Sequence, residues 1–145
     1  MQRLTISLDD DLAAAFDELI ERRSYANRSE AVRDLLRREL GESDLSSGAA
    51  KQCVAVLSYV FNHHERQLSS RLTSLQHDHH DLAIATMHAH ISHEDRVETV
   101  ILRGATTAVK SFAESVIAET GVRHGQIQLI PVETRANQSK WRRKT

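Results

Sequence analysis

One strand and two short helices are too little to fold alone, and that is what the first forty residues encode. Arg3-Leu4-Thr5-Ile6-Ser7-Leu8 alternates polar and apolar side chains, the period of a strand with one buried face. Leu12, Phe16, Leu19 and Ile20 follow at helical spacing behind Asp9, Asp10 and Asp11. Those acids suit a helix N-terminus, where one caps and the others favour the dipole. A second helix is predicted from Asn27, with Glu30 three residues on as in a capping box. Its apolar stripe is Ala31, Val32, Leu35, Leu36 and Leu40, and Gly41 is its expected stop. A lone strand leaves unpaired edges, and so small a core rarely holds by itself. A symmetric dimer solves both problems by pairing two such strands antiparallel over interlocked helices. Leu4, Ile6 and Leu8 then face the helices, while Arg3, Thr5 and Ser7 point outward. A ribbon of that width fits the major groove of DNA, and these residue types read base edges there. The plainer reading is a dimerisation module whose polar face is only solvated.

Charge is spread unevenly behind a net of −1. The segment 1–45 is acidic, 46–131 is nearly balanced, and 132–145 is basic. A nucleic-acid binder usually shows a basic excess, so a DNA reading of the N-terminus requires its acids to face away from the duplex. No apolar run is long enough to cross a bilayer, and the start MQRLTISLDDD has no signal-peptide core. Cys53 is the only cysteine, so no internal disulfide forms, and the expected setting is a reducing cytoplasm.

The stretch Gly41-Glu-Ser-Asp-Leu-Ser-Ser-Gly-Ala-Ala50 is small and polar and reads as a linker. The expected organisation is a first domain over 1–41, a linker over 42–52, a second domain over 53–132 and a disordered basic tail over 133–145. In the second domain, strands are predicted over 54–60, 82–91, 96–102 and 126–131, and helices over 63–79 and 105–120. That order, βαββαβ, predicts a ferredoxin-like (ACT-like) domain with its helices on one sheet face. The fold class is α+β, and no nucleophile motif or placed general base supports an enzyme.

Eight of the nine histidines lie between 63 and 93. His88 and His90 sit two apart in a predicted strand, so both point to one face. The alternate set Ala83, Ala85, Met87, Ala89 and Ile91 is expected to supply the helix-covered core. An H-x-H pair on a strand is a metal-site geometry that needs one or two further ligands. His77, His79, His80 and His93 are the nearest candidates; His63, His64 and His124 read as solvated.

The segment 2–40, with Arg3-x-Thr5-x-Ser7 and Asn27-Arg-Ser-Glu-Ala-Val-Arg33, resembles the ribbon-helix-helix family. Residues 2–131 as a whole resemble the nickel-responsive regulators of the NikR type. The markers are Val56-Leu-Ser-Tyr59, Gln76-His-Asp-His-His-Asp-Leu82, His88-Ala-His90 and Gly121-Val-Arg-His-Gly125. The resemblance implies Arg3, Thr5 and Ser7 as base readers, Arg28 and Ser29 as phosphate anchors, and Glu30 and Asp34 as a secondary cation site. It implies a homotetramer, a dimer of dimers, on double-stranded operator DNA. Nickel ligands would be His88 and His90 of one protomer and His77 of a neighbour.

The family's fourth ligand is a cysteine six residues after the second histidine, where this chain has Arg96. Arginine does not ligate metals, and the soft thiolate that favours square-planar nickel is missing. Three outcomes stay open. The site keeps three histidines plus water, His93 or Asp95, and prefers zinc, cobalt or six-coordinate nickel. Alternatively Arg96 takes the cation's place, leaving a metal-independent factor whose second domain only tetramerises. In the third, Cys53 substitutes, although it precedes the first expected strand of its domain. The resulting expectation is a metal-responsive repressor of uptake genes with an altered site.

Overall fold

In the computed structural model, which describes residues 1–132, Asp9 accepts a hydrogen bond from the Leu12 amide at 2.9 Å and opens helix α1 (Asp10–Arg22). Asp10 and Asp11 fill the first turn and Arg22 the last, each matched to the helix dipole. Ser24 turns the chain at φ 56°, and helix α2 (Arg28–Ser46) follows. Asn27 Oδ1 accepts from the Glu30 amide at 2.8 Å, and Glu30 Oε2 accepts from the Ala26 amide at 3.2 Å. The reciprocal cap expected at Asn27 is therefore present, reaching one residue further back.

The expected helix stop at Gly41 is not where α2 ends, for the helix runs on to Ser46. An interior glycine costs a helix only about 1 kcal/mol. Leu45, one turn later, packs on the core of the second unit (Asp44–Val132), and gains a comparable amount. The chain leaves the helix through Gly48, at φ 74°, and buries Ala50, whose amide donates to the Asp44 carbonyl at 2.9 Å.

Residues 3–8 form no strand in the single chain. Leu4 is 79% exposed and Ile6 57%, and α1 has no buried residue. A strand needs a partner for its amides and carbonyls; within one copy of Met1–Ser43 there is none. The expected ribbon requires a second chain.

The second unit builds one sheet from β1 (Gln52–Asn62), β2 (Ala83–His90), β3 (Asp95–Ala105) and β4 (Arg123–Pro131), in the order β2-β3-β1-β4. All three pairings are antiparallel. Helices α3 (Arg66–Asp78) and α4 (Thr106–Ile117) complete βαββαβ, the expected ferredoxin-like order. Central strand β1 buries every second residue, from Cys53 through Ala55, Leu57 and Tyr59 to Phe61. Opposite them lie Leu68 and Leu72 of α3 and Val109, Phe112 and Val116 of α4.

Strand β2 departs from expectation. Ala83 pairs with Leu102 and packs on the core, but Ala85 pairs with Ile101, leaving Ile84 as a bulge. One extra residue inverts every later side chain. Residues paired directly across an antiparallel ladder share a face. His88, opposite Glu98, and His90, opposite Arg96, therefore lie on the helix side with Tyr59 and Phe61. Ala85, Met87 and Ala89 lie on the other side, and Met87 is 72% exposed. The helix-covered core expected from Ala85 to Ile91 is not formed; only Ala83 joins it.

Candidate functional site

Arg3, Thr5 and Ser7 are all exposed in the N-terminal segment, as are Leu4, Ile6 and Leu8 beside them. Arg3 and Thr5, though not Ser7, border an open groove that Leu4, Ile6, Phe16 and Val32 make apolar. Arg28 and Ser29 stand at the start of α2 beside the same groove. Arg28 does not wait unpaired. Its Nε and Nη2 form a bidentate pair with Asp17 of α1, at 2.8 and 2.7 Å. The hydrogen bond to Arg28 holds the Asp17 carboxyl below its ordinary range. A phosphate at Arg28 would have to displace that carboxylate. We expect Asp17→Asn to tighten binding to non-specific duplex DNA roughly threefold at low salt, with the gain fading as salt rises. Fluorescence anisotropy across a salt series measures it.

Glu30 and Asp34 are already engaged within the chain. Glu30 closes the cap at Ala26, while Asp34 accepts from the Tyr25 hydroxyl and, at 3.4 Å, from Arg38. A cation shared by the two carboxylates would compete with those donors.

On β2 the two histidines of the His-x-His pair are exposed, and among the described residues neither ring carries a hydrogen bond. His77 lies in the last turn of α3, with its ring 6.2 Å from that of His80. Two other candidates have structural partners. His79 Nδ1 is 2.9 Å from the Leu75 carbonyl and its ring packs 5.0 Å from Phe112; His80 Nδ1 is 3.0 Å from the His77 carbonyl. Asp95 is bound to Arg123 at 2.6 Å, and its register parity sets it on the face opposite His90. His93 stacks 5.2 Å from His64, and its carbonyl lies 3.0 Å from His64 Nε2. Cys53 lies inside β1, not before it, and is fully buried. It stands six residues from Tyr59, on the order of 20 Å along the strand from the His88 level.

The sequence reading passed over His63. It follows β1 directly, and its ring lies 4.8 Å from His90, edge-on, and 4.2 Å from His64. The antiparallel β1–β3–β2 register brings these residues together, and sequence spacing carries no sign of it. His90 titrates below an ordinary histidine. Partial desolvation of its ring is the main cause, followed by the charges of His63, Arg96, His88 and His64.

Behind the histidines a polar network crosses the core. Tyr59 donates to Glu98 Oε2 at 2.8 Å, and Gln76 Nε2 reaches both Tyr59 and Glu98, at 3.0 and 3.3 Å. It ties the end of α3, next to His77, to the β3 residue opposite His88. Burial, then the Glu98 charge and hydrogen bond, raises the Tyr59 phenol far above its usual value. The folded state thus holds that proton more tightly than the unfolded chain. This contribution is complete below pH ~10 and is lost as pH rises beyond it. Tyr59→Phe should cost about 1–2 kcal/mol at neutral pH and remove that alkaline loss, read by urea denaturation at pH 7 and pH 10.5.

The donors present fit a transition ion that accepts imidazole, and they do not fit a thiolate site, because the residue paired with His90 is Arg96. Among the described residues no three His, Cys, Asp or Glu side chains of one chain could hold an ion. No helix of the described residues is long and apolar enough to cross a membrane.

Residues 2–43 match the family model of ribbon-helix-helix proteins of the copG family, and residues 54–130 that of the NikR C terminal nickel binding domain. A ribbon-helix-helix module followed by a ferredoxin-like domain defines a DNA-binding transcription regulator that works as a dimer or a multiple of one. The second match covers over half of the chain, which belongs to the NikR-type family of ribbon-helix-helix regulators. An uncharacterized protein from Thermotoga maritima is similar over 57% of this chain and 99% of its own, at 11% identity and a TM-score of 0.47.

Proposed function

We propose that this regulator is metal-responsive, of the nickel type, and represses metal-uptake genes from the cytoplasm as a homotetramer, a dimer of dimers. The observation that carries the reading is the His88–His90 pair, side by side on an exposed edge strand with unused ring nitrogens. His88 and His90 of one protomer and His77 of a neighbour hold the ion, with water, or His93 after a rearrangement of its loop, completing the shell. Bound there, a divalent ion supplies a cross-link between protomers. Three imidazoles without thiolate favour zinc, cobalt or six-coordinate nickel over square-planar nickel.

The remaining work falls to the chain. Residues 1–41 form the reading module, 42–52 the connection, 53–132 the sensing and tetramerising domain, and 133–145 a basic tail. Arg3, Thr5 and Ser7 read bases from the paired ribbon, Arg28 and Ser29 hold phosphates, and Glu30 with Asp34 takes a second, weaker cation. Ligand shifts the ensemble toward tight DNA binding only by favouring the ribbon spacing that suits both half-sites.

Arg96 opposite His90 favours a second reading, a metal-independent factor whose C-terminal domain only tetramerises. Metal content by mass spectrometry separates the two. Metal-stripped protein is dialysed against nickel, cobalt, copper and zinc beside His88→Ala. About one ion per chain, lost in the variant, supports the sensor; no tight ion in either protein leaves the second reading.

A further inference from the structure

Two buried polar side-chain atoms in the described chain have no hydrogen-bond partner: Arg96 Nε and His63 Nδ1. Both residues adjoin His90. Arg96 is its direct partner across the β2–β3 ladder, and the His63 ring lies 4.8 Å away. Buried donors are almost always satisfied, and a guanidinium most of all, because it keeps its charge.

Two acids close to Arg96 in the chain, Asp95 and Glu98, are committed elsewhere. Asp95 pairs with Arg123, and Glu98 accepts from Tyr59 and Gln76. His64 and His88, the other groups that act on His90, bring no negative charge. The guanidinium in the cluster is donor-only and keeps its charge, and neither the Asp95 nor the Glu98 carboxylate balances it. With its proton on Nδ1, His63 donates without being charged, and the Arg96 Nε–H is a second donor next to His90. An oxyanion supplies several acceptors to such a pair and forms charge-assisted bonds with the guanidinium.

We propose that Arg96 and His63 hold a small oxyanion beside His90. The site stands on these two residues and does not depend on the metal reading. Planar carboxylates and tetrahedral phosphate or sulfate share the required chemistry, and the probes tell them apart.

The test uses metal-stripped, full-length protein in low-salt buffer, titrated calorimetrically with inorganic phosphate, sulfate and acetate. One probe is expected to saturate at one per chain. Arg96→Gln should weaken it roughly tenfold or more, and His63→Ala roughly threefold, with unchanged circular dichroism and particle size. Arg96→Lys keeps the charge without the Nε–H and should recover only part of the affinity; it carries the test if Arg96→Gln does not fold. No saturation by any probe overturns the proposal, as does equal affinity in both Arg96 variants. A change of particle size in Arg96→Gln with no anion effect also overturns it, since a neighbouring copy's carboxylate would then fill the place. His88→Ala, which removes the metal reading's ligand, should leave anion binding to the stripped protein intact.

Discussion

Arg96→Cys should raise nickel affinity on the order of a hundredfold and bring a thiolate-to-nickel charge-transfer band that the parent protein lacks. The substitution acts twice. It removes a fixed positive charge from the residue paired with His90, and it puts a soft anionic donor on the same face as the two histidines. Supporting residues around a metal commonly change affinity by 10–100-fold, and a ligand changes it at least as much. The preferred geometry should move toward square-planar, which selects nickel and copper over zinc. Competition with a chromophoric chelator gives the affinity, and the near-ultraviolet difference spectrum gives the ligand. An unchanged affinity would mean that residue 96 does not face the ion.

Arg3→Ala should lower operator affinity roughly tenfold to a hundredfold, about 1–3 kcal/mol for a lost bidentate base contact. Binding to non-specific duplex should fall far less, because only one phosphate-range charge is lost. The ratio of the two affinities is the informative number. A base reader changes the ratio; a residue that merely adds positive charge lowers both affinities together. Thr5→Ala and Ser7→Ala should follow the same pattern with smaller losses. Gel-shift titrations with a selected operator and a scrambled duplex measure all three.

Periodicity made most of the second domain legible. The apolar run Val54–Val60 and helical spacing from Val109 to Ile117 pointed to strands and helices in the observed order, and only their ends moved. The ribbon-helix-helix module was legible as well, though residues 3–8 form no strand within one chain. Two features were not legible. The bulge at Ile84 leaves no mark on composition, yet it reverses the side to which His88, His90 and Met87 point. The sequence reading put the histidines on the sheet face away from the helices; the register puts them on the helix side, on an edge strand where both stay exposed. The second feature is the contact of His63 with His90, separated by 27 positions and joined only through the β1–β3–β2 pairing. Neutral-looking histidines after a strand carry no such signal. By contrast, the conflict at Arg96 was visible in the sequence, and the structure sharpens it by leaving Nε without a partner.

The central claim is that ion binding at the histidines and DNA binding at the ribbon are linked. The most direct measurement is operator affinity of one preparation, stripped and then reloaded with each of nickel, cobalt and zinc, with His88→Ala in parallel. The account predicts that one ion tightens operator binding by about 5–150-fold, the usual range for coupled sites, and that His88→Ala abolishes the gain without weakening the stripped protein. Equal affinity in the stripped and loaded states, for every ion, would contradict it.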